Sequence, residues 1–170
     1  ILKKYDVKAT FFVNGRNSSS AIESYKRIVA EGHTLGSHCY SHDYSVIYSS
    51  TVAFRKNLLK LEYFLYEHTG VRTEIMRFPG GSDNMVSIKY GGSGLMYNLV
   101  QEVHELGYEY FDWNVDSTDS SAIKKTSEEI KRAVISQVKK KQISIVLMHD
   151  TSTKGETQKA LPGIIEYLQE

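Results

Sequence analysis

Cysteine is almost missing from this chain. The single Cys39 cannot close an internal disulfide, so thiol usage argues neither for nor against an oxidising compartment. No apolar run approaches the roughly 20 residues of a membrane-spanning helix. Charge of one sign is also scarce: the net +1 gives no broad field to attract nucleic acid or an anionic membrane. There is no low-complexity linker and no break in composition, so 170 residues suit one domain able to fold without staples. A leader is not visible, and Ile1-Leu2-Lys3-Lys4-Tyr5 reads as the last turn of a helix already under way. The natural N-terminus is therefore expected to lie before Ile1, and any anchor would precede it. Tyrosine, by contrast, is plentiful, with 12 residues. Phenolic rings can line amphipathic sites, but helical spacing assigns many of these to the core or its boundary.

Taken in order, the chain alternates strand and helix signals. Residues 9–13 form a β-branched and aromatic run stopped by Asn14-Gly15. Ile22, Tyr25, Ile28 and Val29 repeat at helical spacing up to Gly32, and Thr34-Leu35-Gly36 reads as the next strand. Phe54, Leu58, Leu61 and Leu65 make the inward stripe of a longer helix closed by Gly70. A third strand is expected over residues 74–78. A fourth helix carries Leu95, Leu99, Val103 and Leu106 and ends at Gly107. Residues 108–113 read as a strand running into an acidic turn over residues 114–119. Thr126 and Glu129 have capping-box spacing ahead of Ile130, Val134 and Val138. Residues 143–148 form an apolar strand, and Leu161, Ile164, Ile165 and Leu168 a last helix with Pro162 near its first turns. The pattern is that of one parallel α/β domain.

The chemistry-bearing residues fall just after the strands. His38 and His42 stand four apart in Gly36-Ser37-His38-Cys39-Tyr40-Ser41-His42-Asp43, a spacing that lets two imidazoles grip one divalent ion. A pair of surface or core histidines without a metal is the other reading of that spacing. A catalytic zinc takes a third protein ligand, so a carboxylate from elsewhere would be needed. Arg77, Asp116, Asp119 and His149 also follow strands, and in a parallel barrel such positions share the face where active sites are built.

His38-Cys39-Tyr40-Ser41-His42, Arg77-Phe78-Pro79-Gly80-Gly81, Asp116-Ser117-Thr118-Asp119 and Leu147-Met148-His149 occur in the order of the NodB-homology polysaccharide deacetylases, carbohydrate esterase family 4. Residues 3–13 also resemble the segment after that family's first motif. The resemblance implies a distorted (β/α) barrel of the polysaccharide deacetylase type, incomplete at both ends, with residues 1–170 a single partial domain. It implies metal-dependent hydrolysis of N-acetyl groups on a peptidoglycan or chitin-like polymer, with zinc as the metal and cobalt or nickel compatible. An extracytoplasmic location follows from such a substrate.

Carried over motif by motif, His38 and His42 resemble the metal ligands and His149 the general acid. Asp119 resembles the carboxylate paired with that acid, and Arg77 the anchor of the family's base aspartate. Leu147 resembles the residue touching the acetyl methyl, while Asp116 and Pro79 belong to the substrate-binding motifs. Three departures stand out. The family's Thr-Phe-Asp-Asp-Gly motif, which supplies the base and third ligand, would lie before Ile1, so these 170 residues alone are expected to show little or no activity. Ser120 replaces the tryptophan of the fourth motif, and Gly80-Gly81 stand where an aromatic often follows the proline. Both imply an altered wall for the acetyl pocket and sugar groove. A catalytically silent glycan-binding domain on the same fold is the alternative.

Overall fold

The computed structural model describes all 170 residues, which fall into two compact units. The larger covers Lys8–Asp112. Its first strand, β1 (Thr10–Val13), leads to α1 (Ser19–Ala30), whose first turn is capped by the Ser18 hydroxyl. Strand β2 (Thr34–Ser37) pairs with β1 in parallel, Thr10 opposite Thr34 and Val13 opposite Ser37. A short helix α2 (Tyr44–Ile47) and the long α3 (Thr51–Thr69) follow. In α3, Phe54, Leu58, Leu61 and Leu65 all face inward and are fully buried, the 3.6-residue stripe made real. Then come β3 (Ile75–Met76), α4 (Val86–Gly91), α5 (Leu95–Glu105) and β4 (Glu109–Tyr110). The four strands form one parallel sheet in chain order.

The second unit joins Ile1–Val7 to Trp113–Glu170. Its opening residues make a 3-10 turn, Leu2–Tyr5, with Lys3 and Lys4 at its end. Strand β5 (Val115–Asp116) pairs in parallel with β6 (Val146–Leu147). Between and after them lie α6 (Ser127–Val138) and α7 (Gly155–Gln169). Val115, Ile130, Val134, Val138, Ala160 and Ile164 form this unit's core. The Tyr5 hydroxyl donates to Glu166 at 2.6 Å, tying the opening turn to α7. No helix is long and apolar enough to cross a membrane.

Several sequence expectations need correction. The segment read as an acidic turn contains a strand, because Val115 is buried and pairs with Val146. The strands expected over residues 74–78, 108–113 and 143–148 each shrink to two residues. In the last of these Ile143 is 79% exposed, so an apolar run there does not mean burial. Leu106 and Leu168 lie on the solvent side of their helices. Pro162 sits well inside α7 because the helix starts at Gly155, earlier than the apolar stripe suggests. The short helices α2 and α4 carry no such stripe and gave no periodic signal.

Candidate active site

In the larger unit, His38 leaves β2 directly, its N–H donating to Val13 at 2.9 Å. The ring is oriented by the neighbouring strand: His38 Nδ1 lies 2.7 Å from the Arg77 carbonyl. A carbonyl only accepts, so Nδ1 carries the proton and the lone pair sits on Nε2. The His42 ring is 5.2 Å away, centroid to centroid. Two imidazoles on one tetrahedral zinc, at Zn–N of about 2.0 Å, would have centroids roughly 5 Å apart. The pair therefore fits a divalent metal as two nitrogen donors. No three His, Cys, Asp or Glu side chains are grouped to complete such a site.

The loop carrying this pair is held from several sides. Cys39 takes a left-handed conformation, φ 64°, and its side chain is fully buried in the core beside Ile47 and Phe54. Burial pushes its thiol pKa up, and the side chain serves as core packing. Asn14 Nδ2 donates to the carbonyls of His38 and Cys39 at 2.6 and 3.0 Å. Asn57 Oδ1 accepts from Ser41 N–H at 2.9 Å. Asp43 caps α2 through Ser45, whose hydroxyl and N–H hold its carboxyl below the usual range.

Arg77 is buried. Its Nε donates to Phe111 O at 2.7 Å and its Nη2 to Asp112 O at 3.1 Å. The guanidinium stacks 4.5 Å from the Phe12 ring centroid. Burial lowers its pKa, and Asp112 acts against that. Asp112 itself is engaged by the Ser82 N–H and hydroxyl. Pro79 is buried and its carbonyl accepts from Tyr48 at 2.7 Å. Gly80 and Gly81, at φ 82° and 90°, turn in the left-handed region, which explains why no aromatic stands there.

The second unit holds the other cluster. His149 Nδ1 is 2.7 Å from Asp119 Oδ1, and the His149 N–H donates to Asp119 Oδ2 at 2.8 Å. Asp119 has no exposed side-chain surface, while His149 keeps 40%. Burial would raise the Asp119 pKa, but the donors from His149 and the Thr157 hydroxyl outweigh it and hold the carboxyl below its ordinary value. The carboxylate fixes the Nδ1–H tautomer and leaves Nε2 as the atom that can carry a transferable proton. Leu147, at the end of β6, is half-buried. Asp116 is exposed and its Oδ1 accepts from Thr118 N–H at 2.7 Å.

Three contributors escaped the sequence reading. Thr157 reaches Asp119 Oδ2 at 2.9 Å from the first turn of α7. Lys154 Nζ donates to Asp119 O and to Ser120 Oγ, so the serine in the tryptophan's place is tied down. Asn14 clamps the histidine loop. Only Asn14, in the Asn14-Gly15 pair after a strand, carried any local signal.

A family profile described as polysaccharide deacetylase matches residues 1–111. A peptidoglycan-N-acetylglucosamine deacetylase of Bacillus cereus is 29% identical over 174 residues, covering 99% of this chain and 59% of the relative. The catalytic domain of peptidoglycan N-acetylglucosamine deacetylase from Eubacterium rectale superposes with a TM-score of 0.93 at 38% identity, covering 99% of this chain and 74% of that one. A Bacillus anthracis protein described as a family 4 pseudoenzyme matches with a TM-score of 0.76 at 27% identity, over 99% of this chain and 53% of its own. The chain spans 57% and 59% of the two curated relatives that it matches over its whole length.

Proposed function

The chain belongs to the polysaccharide deacetylase family, and on that premise we propose that it contributes to hydrolysis of the N-acetyl amide of a glycan rich in N-acetylglucosamine, of peptidoglycan or chitin type. The observation that carries this reading is the His149–Asp119 pair. An amine leaves an amide only if it is protonated, and a positioned acid at that step is typically worth about 10²–10⁴ in rate. His149 is built for it: Asp119 holds Nδ1 and leaves the second ring nitrogen, on a side chain that stays 40% exposed, free to meet a leaving group. Leu147 would offer an apolar contact for the acetyl methyl, and Asp116 a polar one for a hydroxyl.

His38 and His42 would hold a divalent metal, zinc by the chemistry of their nitrogens, with cobalt or nickel compatible. Such an ion supplies an acidified water and a polarised carbonyl when bound. Arg77 serves twice in this reading: its carbonyl fixes the His38 tautomer, and its buried charge would anchor a carboxylate base. Asp119 and His149 then need no further partner for the proton. A cell-wall polymer as substrate would place the protein outside the cytoplasm.

Acetate release from N-acetylglucosamine oligomers tests the reading, using both the longest natural chain that carries these residues and residues 1–170 alone. Metal-dependent release is expected from the former and little from the latter, which has two nitrogen donors and no grouped third ligand. Glycan binding without release, whatever metal is added, would instead mark a catalytically silent binding domain. Fast turnover by the 170 residues would overturn the second expectation.

A further inference from the structure

Tyr44 stands beside the histidine pair, in space that a side chain at position 80 would otherwise contest. A Cβ built on Gly80 would lie 3.2 Å from the Tyr44 hydroxyl and 3.7 Å from its ring. The Tyr44 ring is also 5.2 Å from that of His42, tilted by 57°. His42 and Gly80 are exposed and Tyr44 is half-buried, so the phenol forms part of the rim of the His38–His42 cluster.

The ring is also fixed before any ligand arrives. It stacks on Tyr48 at 5.9 Å with planes 8° apart, and Tyr48 stacks in turn on Phe54 at 6.0 Å and 7°. The Tyr48 hydroxyl is anchored on the Pro79 carbonyl. Asp43 caps the turn that carries Tyr44, through Ser45. A prepositioned aromatic loses little side-chain freedom when it contacts a ligand. The phenol oxygen can both donate and accept a hydrogen bond.

From this arrangement we infer that Tyr44 is a sugar-contacting, specificity-determining residue of the His38–His42 site. It supplies from α2 the aromatic wall that Gly80 and Gly81 do not, and its ligand is the pyranose ring of an N-acetylated sugar. Such a sugar offers axial C–H groups on one face, suited to a phenol ring, and hydroxyl and amide groups at its edge, suited to the phenol oxygen. The inference rests on the deacetylase reading for the identity of the sugar.

The test is binding of the N-acetylglucosamine pentamer to the 170-residue chain and to Tyr44→Phe and Tyr44→Leu, followed by calorimetry, with near-ultraviolet circular dichroism to confirm the fold. Tyr44→Phe keeps the wall and should bind within about twofold of the parent, whereas Tyr44→Leu, losing the aromatic face, should weaken binding about 3–10-fold. Equal binding by Tyr44→Leu and the parent overturns the inference, as does a parent chain that binds no pentamer. In case Tyr44→Leu does not fold, the parent's own Tyr44 ring resonances provide a second measurement. They should shift on adding the pentamer, and their constancy while other signals move overturns the inference. Acetate release is measured alongside. Pentamer binding that depends on Tyr44 without release by any natural form sinks the deacetylase reading alone. Release at an unchanged KM in Tyr44→Leu sinks the Tyr44 role alone.

Discussion

Asp119 is a carboxylate with no exposed side-chain surface, a place where an anion persists only if its oxygens are occupied. Here Oδ1 takes the His149 ring and Oδ2 takes the His149 N–H and the Thr157 hydroxyl. Asp119→Asn keeps the shape but replaces an acceptor-only group with one that also donates, so it opposes the Nδ1–H tautomer. Acetate release by an active form should fall by about 10²–10⁴, the usual worth of a positioned acid, with KM little changed. The same residue sets an acid limit on stability. Its folded-state pKa lies below the ordinary value of about 3.9, so the stabilisation is present above that pH and is lost as the pH falls through the lower, folded-state value. Urea midpoints of the parent should therefore drop more steeply below about pH 4 than those of Asp119→Asn. Parallel curves would mean that the pair adds nothing to folding.

At the scale of elements, α3 ends in a way that isolates one backbone effect. Gly70 closes it at φ 72°, its N–H bonded to Tyr66 O, and a Cβ there would meet nothing within 4 Å. Gly70→Ala should thus cost only the left-handed strain, about 1 kcal/mol, and Gly70→Asn less. A loss of several kcal/mol in thermal unfolding would show that position 70 is packed after all. The same helix shows what the sequence makes legible. Its stripe and its glycine stop are local signals read correctly, as are the Thr126–Glu129 capping box and the Leu95–Val103 stripe, whereas its Ser50 cap was not singled out. Strand limits were not legible, because a two-residue ladder depends on where its partner lies. Val115 and Asp116 sit in a segment dense in turn formers, yet pairing with Val146 and Leu147 decides their state. The site divides in the same way. Spacing alone suggested the His38–His42 pair, and motif order suggested His149 with Asp119. Thr157, 38 positions from the carboxylate it serves, left no trace in the sequence.

For the whole molecule, the question is how far a metal at the two histidines would support the fold. Each unit already has its own core: Phe54, Leu58, Phe78 and Leu99 are fully buried in one, and Val115, Val134 and Ile164 nearly or fully so in the other. His42 lies exposed at the edge of the first core and His38 is held by protein groups, the Arg77 carbonyl and Asn14. Nothing in that packing waits for an ion. Two imidazoles without a grouped third donor should also bind zinc loosely. Linkage then limits the effect, since a ligand present at its own Kd stabilises the folded chain by only about 0.4 kcal/mol. Residues 1–170 should accordingly unfold within about 1–2 °C of the same temperature in zinc and in chelator, and His38→Ala should abolish what difference there is. A rise of ten degrees with zinc would require a tighter, more complete ligand set than these side chains form. It would show that a third group moves in to finish the site, and that the scarcity of donors around His38 and His42 is a property of the metal-free chain alone.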